Sequence, residues 1–260
     1  MSPCAIVPIV FVLPVPPILG STFEQVFSAP ALRPLPWLVL AGNHDHAGNV
    51  TAQVAYSQLS PRWHFPHPYY SVRWALPGAN VTARLLVLDT VLLCGDSDDG
   101  DVGDTASPRG PRRPGAAAAQ LRWLRRRLAA AGDTRYLLVA GHYPLWSAGE
   151  HGPTQCLVRE LRPLLQQHRV SAYLSGHDHN VQFLQDEGVA YVVSGAGNFM
   201  VPSRRHAGAV PPGALRFLFG DPASPGAFAH VRLDAAAMTV TFLEATGRLL
   251  YRVALPPRTP

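Results

Sequence analysis

The sequence contains no lysine. All 22 of its basic side chains are arginine, against 17 carboxylates, which leaves a formal charge of +5 with histidine neutral. Arginine is abundant together with alanine, glycine and proline, a pattern that reads as coding bias rather than a nucleic-acid footprint. The densest basic runs, 109–113 and 122–127, carry no aromatic stacking pattern, so both read as solvated faces and nucleic acid is not expected as a partner. Cysteine is scarce as well: Cys4, Cys94 and Cys156 form no CxxC pair, which excludes a zinc knuckle. Long hydrophobic runs are missing. The apolar stretch 5–19 is interrupted by four prolines and preceded by no basic residue, so no stable membrane span is expected. Two readings of residues 1–21 stand: a degraded signal peptide with Gly20 and Ser21 as its cleavage region, or an N-terminus that belongs to no folded element. No internal repeat and no linker interrupts the rest.

What is present is enough for a substantial core, since 47% of the 260 residues are hydrophobic. From Pro36 onward, short apolar runs end in glycine or a polar cluster, as buried strands feeding functional loops do. Strands are expected at 37–41, 85–88, 136–140, 171–174 and 191–193. Helices are expected at 116–131, where Leu121, Leu124 and Leu128 share a face, and at 154–168, where Leu157, Leu161, Leu164 and Leu165 recur at helical spacing. Alternation of this kind defines a layered α/β fold. The Asp-, Gly- and Pro-rich segment 95–115 reads as a long exposed loop open to proteolysis. After Ala227, the stretches 228–233, 238–244 and 249–255 read as an antiparallel meander.

Three strands run into Gly42-Asn43-His44-Asp45, Gly141-His142-Tyr143-Pro144 and Gly176-His177-Asp178-His179. In open α/β sheets, functional groups gather beyond the carboxyl ends of the strands. Imidazole nitrogens and an amide oxygen arriving there suit first-row metal ions. Asn49-Val50-Thr51 and Asn80-Val81-Thr82 fit the N-glycosylation pattern, which makes Asn49 and Asn80 acceptor candidates in a secreted chain.

These motifs, continued through Glu150-His151-Gly152-Pro153-Thr154 and Ser194-Gly195-Ala196-Gly197-Asn198-Phe199, resemble the mammalian-type purple acid phosphatases from about Thr22 to the C-terminus. The resemblance implies a metallophosphoesterase-like four-layer αββα sandwich, here N-terminally truncated, with 22–260 as the incomplete domain. It implies a binuclear centre of Fe(III) with Fe(II) or Zn(II), in which Asn43, His142 and His177 hold the divalent ion and His179 the ferric ion. His44 and His151 would flank the phosphate as catalytic residues. Asp45 would orient His44 from behind. Two bland readings stand beside these: His151 as an ordinary loop histidine, and Asp45 as the cap of the following helix. The resemblance also implies a Cys94–Cys156 disulfide, activation by a protease at loop 95–115, a phosphomonoester or phosphoprotein substrate, a monomer, and a lysosomal or secreted location.

One departure bears on all of this. The family pattern begins with strands ending in Gly-Asp and Gly-Asp-Asn-x-x-Tyr, which supply a bridging carboxylate and a tyrosinate. Before Asn43 this sequence has no aspartate, tyrosine or histidine, and Glu24 is its only carboxylate. Two cations without a bridging carboxylate would repel one another with little to offset it. At most one occupied metal position is therefore expected, in either a truncated gene model of a normal enzyme or a genuine short product. A secreted glycoprotein that keeps the fold as an inactive binding module is the alternative function. A nucleotidase or phosphodiesterase is disfavoured, because the length leaves no room for a companion domain.

Overall fold

The computed structural model describes residues 19–77, 81–97, 108–197 and 199–259. Cys4, the acceptor candidate Asn80, Asn198 and the middle of loop 95–115 lie outside the described residues. The chain enters through a single π-type turn, Gly20–Glu24. Phe23 is fully buried there and meets Trp37 and Trp63 edge-on at 5.2 and 4.9 Å. Glu24 accepts from Ser60 Oγ and pairs with Arg62 at 3.1 Å. This aromatic knot seats a parallel pair of short strands, β1 (Trp37–Leu38) and β2 (Trp63–His64).

Between β1 and β2 lie two short helices, α1 (Asn43–Ala47) and α2 (Val50–Tyr56). The central sheet follows. Its strands are β3 (Tyr70–Ala75), β4 (Thr82–Val87), β5 (Tyr136–Ala140), β6 (Ala172–Ser175), β7 (Val181–Asp186), β8 (Val189–Ser194) and β9 (Leu215–Phe219), in the spatial order β3-β4-β5-β6-β8-β7-β9. The inner strands β4, β5, β6 and β8 are parallel. Every residue of β5 is buried, which explains why its sequence is uniformly apolar. The antiparallel meander β10 (Ala227–Leu233), β11 (Met238–Glu244) and β12 (Leu249–Leu255) forms a second sheet.

The two sheets enclose one core, in which Phe217, Phe242 and Tyr251 pack across the interface and Phe217 stacks on Tyr251 at 4.8 Å. An apolar cavity of about 390 Å³ opens within it, walled by Trp37 and Leu32 on one flank, by Leu85, Leu138, Leu174 and Val192 beneath, and by β10 on the other flank. A second core lies on the opposite sheet face under four helices: α3 (Thr90–Cys94), α4 (Pro114–Ala129), α5 (Gln155–Glu160) and α6 (Arg162–Gln167). Helix α4 buries Ala117, Leu124 and Leu128, and Leu121 packs at the margin of the same core.

The expected helix 154–168 is two helices, α5 and α6, that meet at Leu161. Pro163 lies in the first turn of α6, where its missing N–H is harmless; within one continuous helix it would have removed a hydrogen bond and clashed with the preceding turn. The expected strand 37–41 shortens to β1, because the chain leaves its pairing with β2 and turns through Gly42 into α1, which opens with Asn43. A disulfide joins Cys94 at the end of α3 to Cys156 in α5, with Cα atoms 5.7 Å apart.

Candidate active site

The parallel strands share a direction, so their carboxyl ends deliver side chains to one edge of the sheet. Beyond β5 comes Gly141-His142, and beyond β6 comes Gly176-His177-Asp178-His179. Asn43 arrives from the segment after β1, as the first residue of α1. Its Oδ1 stands 2.7 Å from His142 Nε2, and both residues are buried. Gly42 permits this approach, since a Cβ there would lie 2.8 Å from His142 Cε1. His177 meets the His142 ring at 5.0 Å and the His151 ring at 4.1 Å, and His151 in turn meets His179 at 6.0 Å. Phe199 closes over His179 at 4.2 Å. His44 is exposed, at the mouth of this group.

His177 has φ of +66°, a left-handed conformation rarely used by residues with a side chain. Such strain persists only where surrounding contacts impose it, and it concentrates at functional sites. The electrostatics agree. Burial, reinforced by the neighbouring imidazoles of His44, His151, His179 and His46, pulls the His142 pKa down to about 3. Burial and the same kind of histidine neighbours hold His177 well below its usual range. Both rings are therefore neutral, the form that offers a nitrogen lone pair to a cation.

Three buried carboxylates surround the cluster, and each is committed to scaffolding. Asp45 accepts from Gly42 N–H at 2.8 Å and from Gln53 Nε2 at 2.7 Å, so its oxygens cap α1 and fix the backbone that carries Asn43 and His44. Asp178 accepts from Ser147 Oγ and from His151 N–H at 2.9 Å. Ser147 Oγ accepts in turn from Gly149 N–H and from Gln182 Nε2, while Gln182 Oε1 accepts from Ala148 N–H. Loop 147–151 is thus held to the strand end by a buried polar network, which is what brings His151 over His177. Asp89 caps α3 through Leu92 N–H and holds His46 Nε2 at 2.8 Å.

Asp178, Gln182 and the His46–Asp89 pair were not among the residues expected from sequence. The available signals were Asp178 between two candidate ligands and Asp89 directly after an apolar strand. The cap seen for Asp45 is the plainer of its two sequence readings. Asn49 is exposed, and its side chain accepts from Ala52 N–H as the cap of α2.

The His46–Asp89 pair carries a pH signature. Burial opposes charge on His46, but the hydrogen bond and negative charge of Asp89 outweigh it and raise the imidazole above its usual 6.5. A raised folded-state pKa contributes stability that is fully present below about 6.5 and is lost as pH climbs through the raised value. Thermal melts of His46→Gln should show a clear loss against the parent at pH 5 and a much smaller one at pH 8.5. Equal losses at the two pH values would contradict the pairing.

Two neutral imidazoles and an amide oxygen fit one divalent first-row cation in donor chemistry. Among the described residues, no three His, Cys, Asp or Glu side chains form a ready-made metal group, so any such position depends on Asn43.

The mixed sheet, the second sheet packed on it and a histidine cluster at the strand ends together define a metallophosphoesterase. The calcineurin-like phosphoesterase family matches residues 18–181, and the chain belongs to that family. More particularly, it is 57% identical over 238 residues to tartrate-resistant acid phosphatase type 5 of Mus musculus, covering 91% of this chain and 72% of that protein. The Homo sapiens protein of the same name is 56% identical over the same spans. Purple acid phosphatase 17 of Arabidopsis thaliana is 26% identical, over 91% of this chain and 68% of its own. These identities set the chain among the acid phosphatases of the purple acid phosphatase group, which are hydrolytic enzymes. Among solved structures, GAP50, the anchor in the inner membrane complex of Plasmodium, superposes with a TM-score of 0.77 at 20% identity, over 94% of this chain and 73% of that one. Purple acid phosphatase PPD1 from yellow lupin seeds superposes at 0.51 and 16% identity, over 85% and 40%. Both likenesses concern the fold.

Proposed function

We propose that this chain hydrolyses phosphate monoesters at the histidine cluster, and that its described residues hold a single divalent cation through Asn43, His142 and His177. The convergence of Asn43 Oδ1 on His142 Nε2, delivered from two separate strand ends, carries this reading. The family resemblance assigns His179 to a second, ferric position, which the present proposal leaves empty. The commitment of Asp45, Asp89 and Asp178 to caps and loops favours one cation over two, because none of these buried carboxylates is left to bridge a pair.

A bound cation supplies Lewis-acid charge to the phosphoryl oxygens. The chain's own residues do the rest. His44, exposed at the mouth, donates a hydrogen bond to a phosphoryl oxygen and orients the ester. His151, fixed by its backbone N–H on Asp178, stands where the alcohol leaves. In its protonated form it gives its proton to that oxygen as the phosphorus–oxygen bond breaks and the oxygen of a water takes its place. Phe199 and the walls of the cluster narrow the access of bulk water.

The substrate class is a phosphomonoester, including one on a phosphoprotein, in an acidic compartment. The Cys94–Cys156 bond and the exposed Asn49 sequon support a lysosomal or secreted location. The exposed residues at the end of loop 95–115 support proteolytic activation there. The decisive experiment expresses this chain, measures iron and zinc per protein, and assays p-nitrophenyl phosphate at acidic pH with tartrate present. About one equivalent of cation with tartrate-insensitive hydrolysis is expected. Two equivalents would overturn the single position, and a metal-free, inactive chain would overturn the proposal in favour of a binding module.

A further inference from the structure

At the end of the central sheet opposite the histidines, a polar cavity of about 390 Å³ is lined by Arg73, Thr82, Asp133, Thr134, Arg135 and Arg258, with Val81 beside them. It lies where β4 and β5 begin. The five residues of β5 set it roughly 16 Å from the strand ends that carry His142. Its lining holds three arginines and one carboxylate, and that carboxylate, Asp133, is already paired with Arg73 at 2.8 Å.

The donors in this wall are unusual. Among the described residues, Thr82 Oγ1, Thr134 Oγ1, Arg135 Nε and Arg258 Nε are all buried and meet no partner. Thr134 is wholly buried. Each arginine is tethered by another nitrogen, Arg135 by Nη2 on the carbonyl of Ala235 and Arg258 by Nη1 on that of Ala131. Leaving a buried polar atom unsatisfied costs about 1–3 kcal/mol, so four such atoms around one cavity demand an explanation. Arginine Nε donates only, and both threonine hydroxyls are free to donate. The missing partner is therefore an acceptor. Burial and the nearby Arg169 guanidinium both disfavour the charge on Arg258, a penalty that an anion would offset.

We propose that this cavity binds a tetrahedral oxyanion group, with Arg135 and Arg258 turning inward to give it their Nε–H donors and Thr134 adding its hydroxyl. Arginine forks match such oxygens in geometry and in charge. The room exceeds that of a bare phosphate, so the group is carried either by free phosphate or by a small molecule bearing a phosphate. The site shares no residue with the histidine cluster, and the two proposals can fail separately.

Isothermal titration of the full chain with inorganic phosphate, and in a second arm with phenylphosphonate, tests the proposal. Arg258→Met should weaken this binding event by roughly 10- to 100-fold, the range of one charge-assisted hydrogen bond, and Arg135→Met should do the same. Both should leave hydrolysis of p-nitrophenyl phosphate and the circular dichroism spectrum unchanged, and His142→Ala should leave this binding event intact. Tighter binding of phenylphosphonate would assign the site to a phosphorylated small molecule, and tighter binding of phosphate to the free ion. Binding lost in His142→Ala yet untouched by both arginine variants would overturn the proposal. Crystals soaked in phosphate that show only water between Arg135 and Arg258 would do so too.

Discussion

His142→Ala should lower cation affinity by at least about 100-fold, and phosphomonoester hydrolysis with it. Even residues that merely support a ligand from behind cost roughly 10- to 100-fold when removed, and His142 stands in the innermost position of the cluster. The loss should be specific. His142 touches Asn43 through Nε2, while Gly42 is held independently by Asp45, so the α1 segment keeps its cap when the ring is removed. Metal content measured after dialysis, beside an unchanged near-ultraviolet dichroism spectrum, separates a lost ligand from a lost fold. A variant that retains full metal and activity would remove His142 from the proposed set.

Asp178→Ala should destabilise the protein by about 3 kcal/mol or more, because hydrogen bonds to a charged group contribute about 1.5–3 kcal/mol each and two donors, the buried Ser147 hydroxyl and the part-buried His151 N–H, would lose their acceptor. For a chain of this size that corresponds to a fall of roughly 6–12 °C in Tm. The damage should reach the chemistry as well. With Asp178 gone, nothing among its described contacts anchors the His151 backbone, and loop 147–151 loses its registration over His177. Gly149→Ala attacks the same junction from the other side, since its Cβ would fall 2.6 Å from Asp178 Oδ1. Differential scanning calorimetry reads the first effect and kcat the second. A Tm change below 2 °C would show that the network is dispensable.

The sequence was most legible where burial was complete. Strand β5 occupies the expected 136–140 because all five residues face core, and the meander after Ala227 matches its expected strands to within a residue. Edge and polar strands were hidden. β3 alternates cleanly, with Arg73 on its exposed side, so it lacks the continuous apolar run that marked the buried strands, and β7 buries Gln182, a residue that argues against a strand until its partners Ser147, Asn180 and Ala148 are seen. The site divides in the same way. Histidines after glycine announced themselves, but what aims them did not: the hold of Asp178 on loop 147–151 and of Asp89 on His46 joins residues 27 to 43 positions apart in the chain, which no local pattern encodes. The break at Leu161 was visible in Pro163, yet helical spacing on both sides masked it.

The bond between Cys94 and Cys156 spans the exposed arginines at 109, 112 and 113, so it decides what a cut at those arginines would look like. The two pieces would remain one particle. β4 belongs to the first piece and β5 to the second, and they would stay zipped side by side while the sulfur clasp kept the ends from drifting apart. A nicked molecule would therefore elute like an intact one and reveal two bands only after reduction. Any preparation judged whole by size alone could already have been processed.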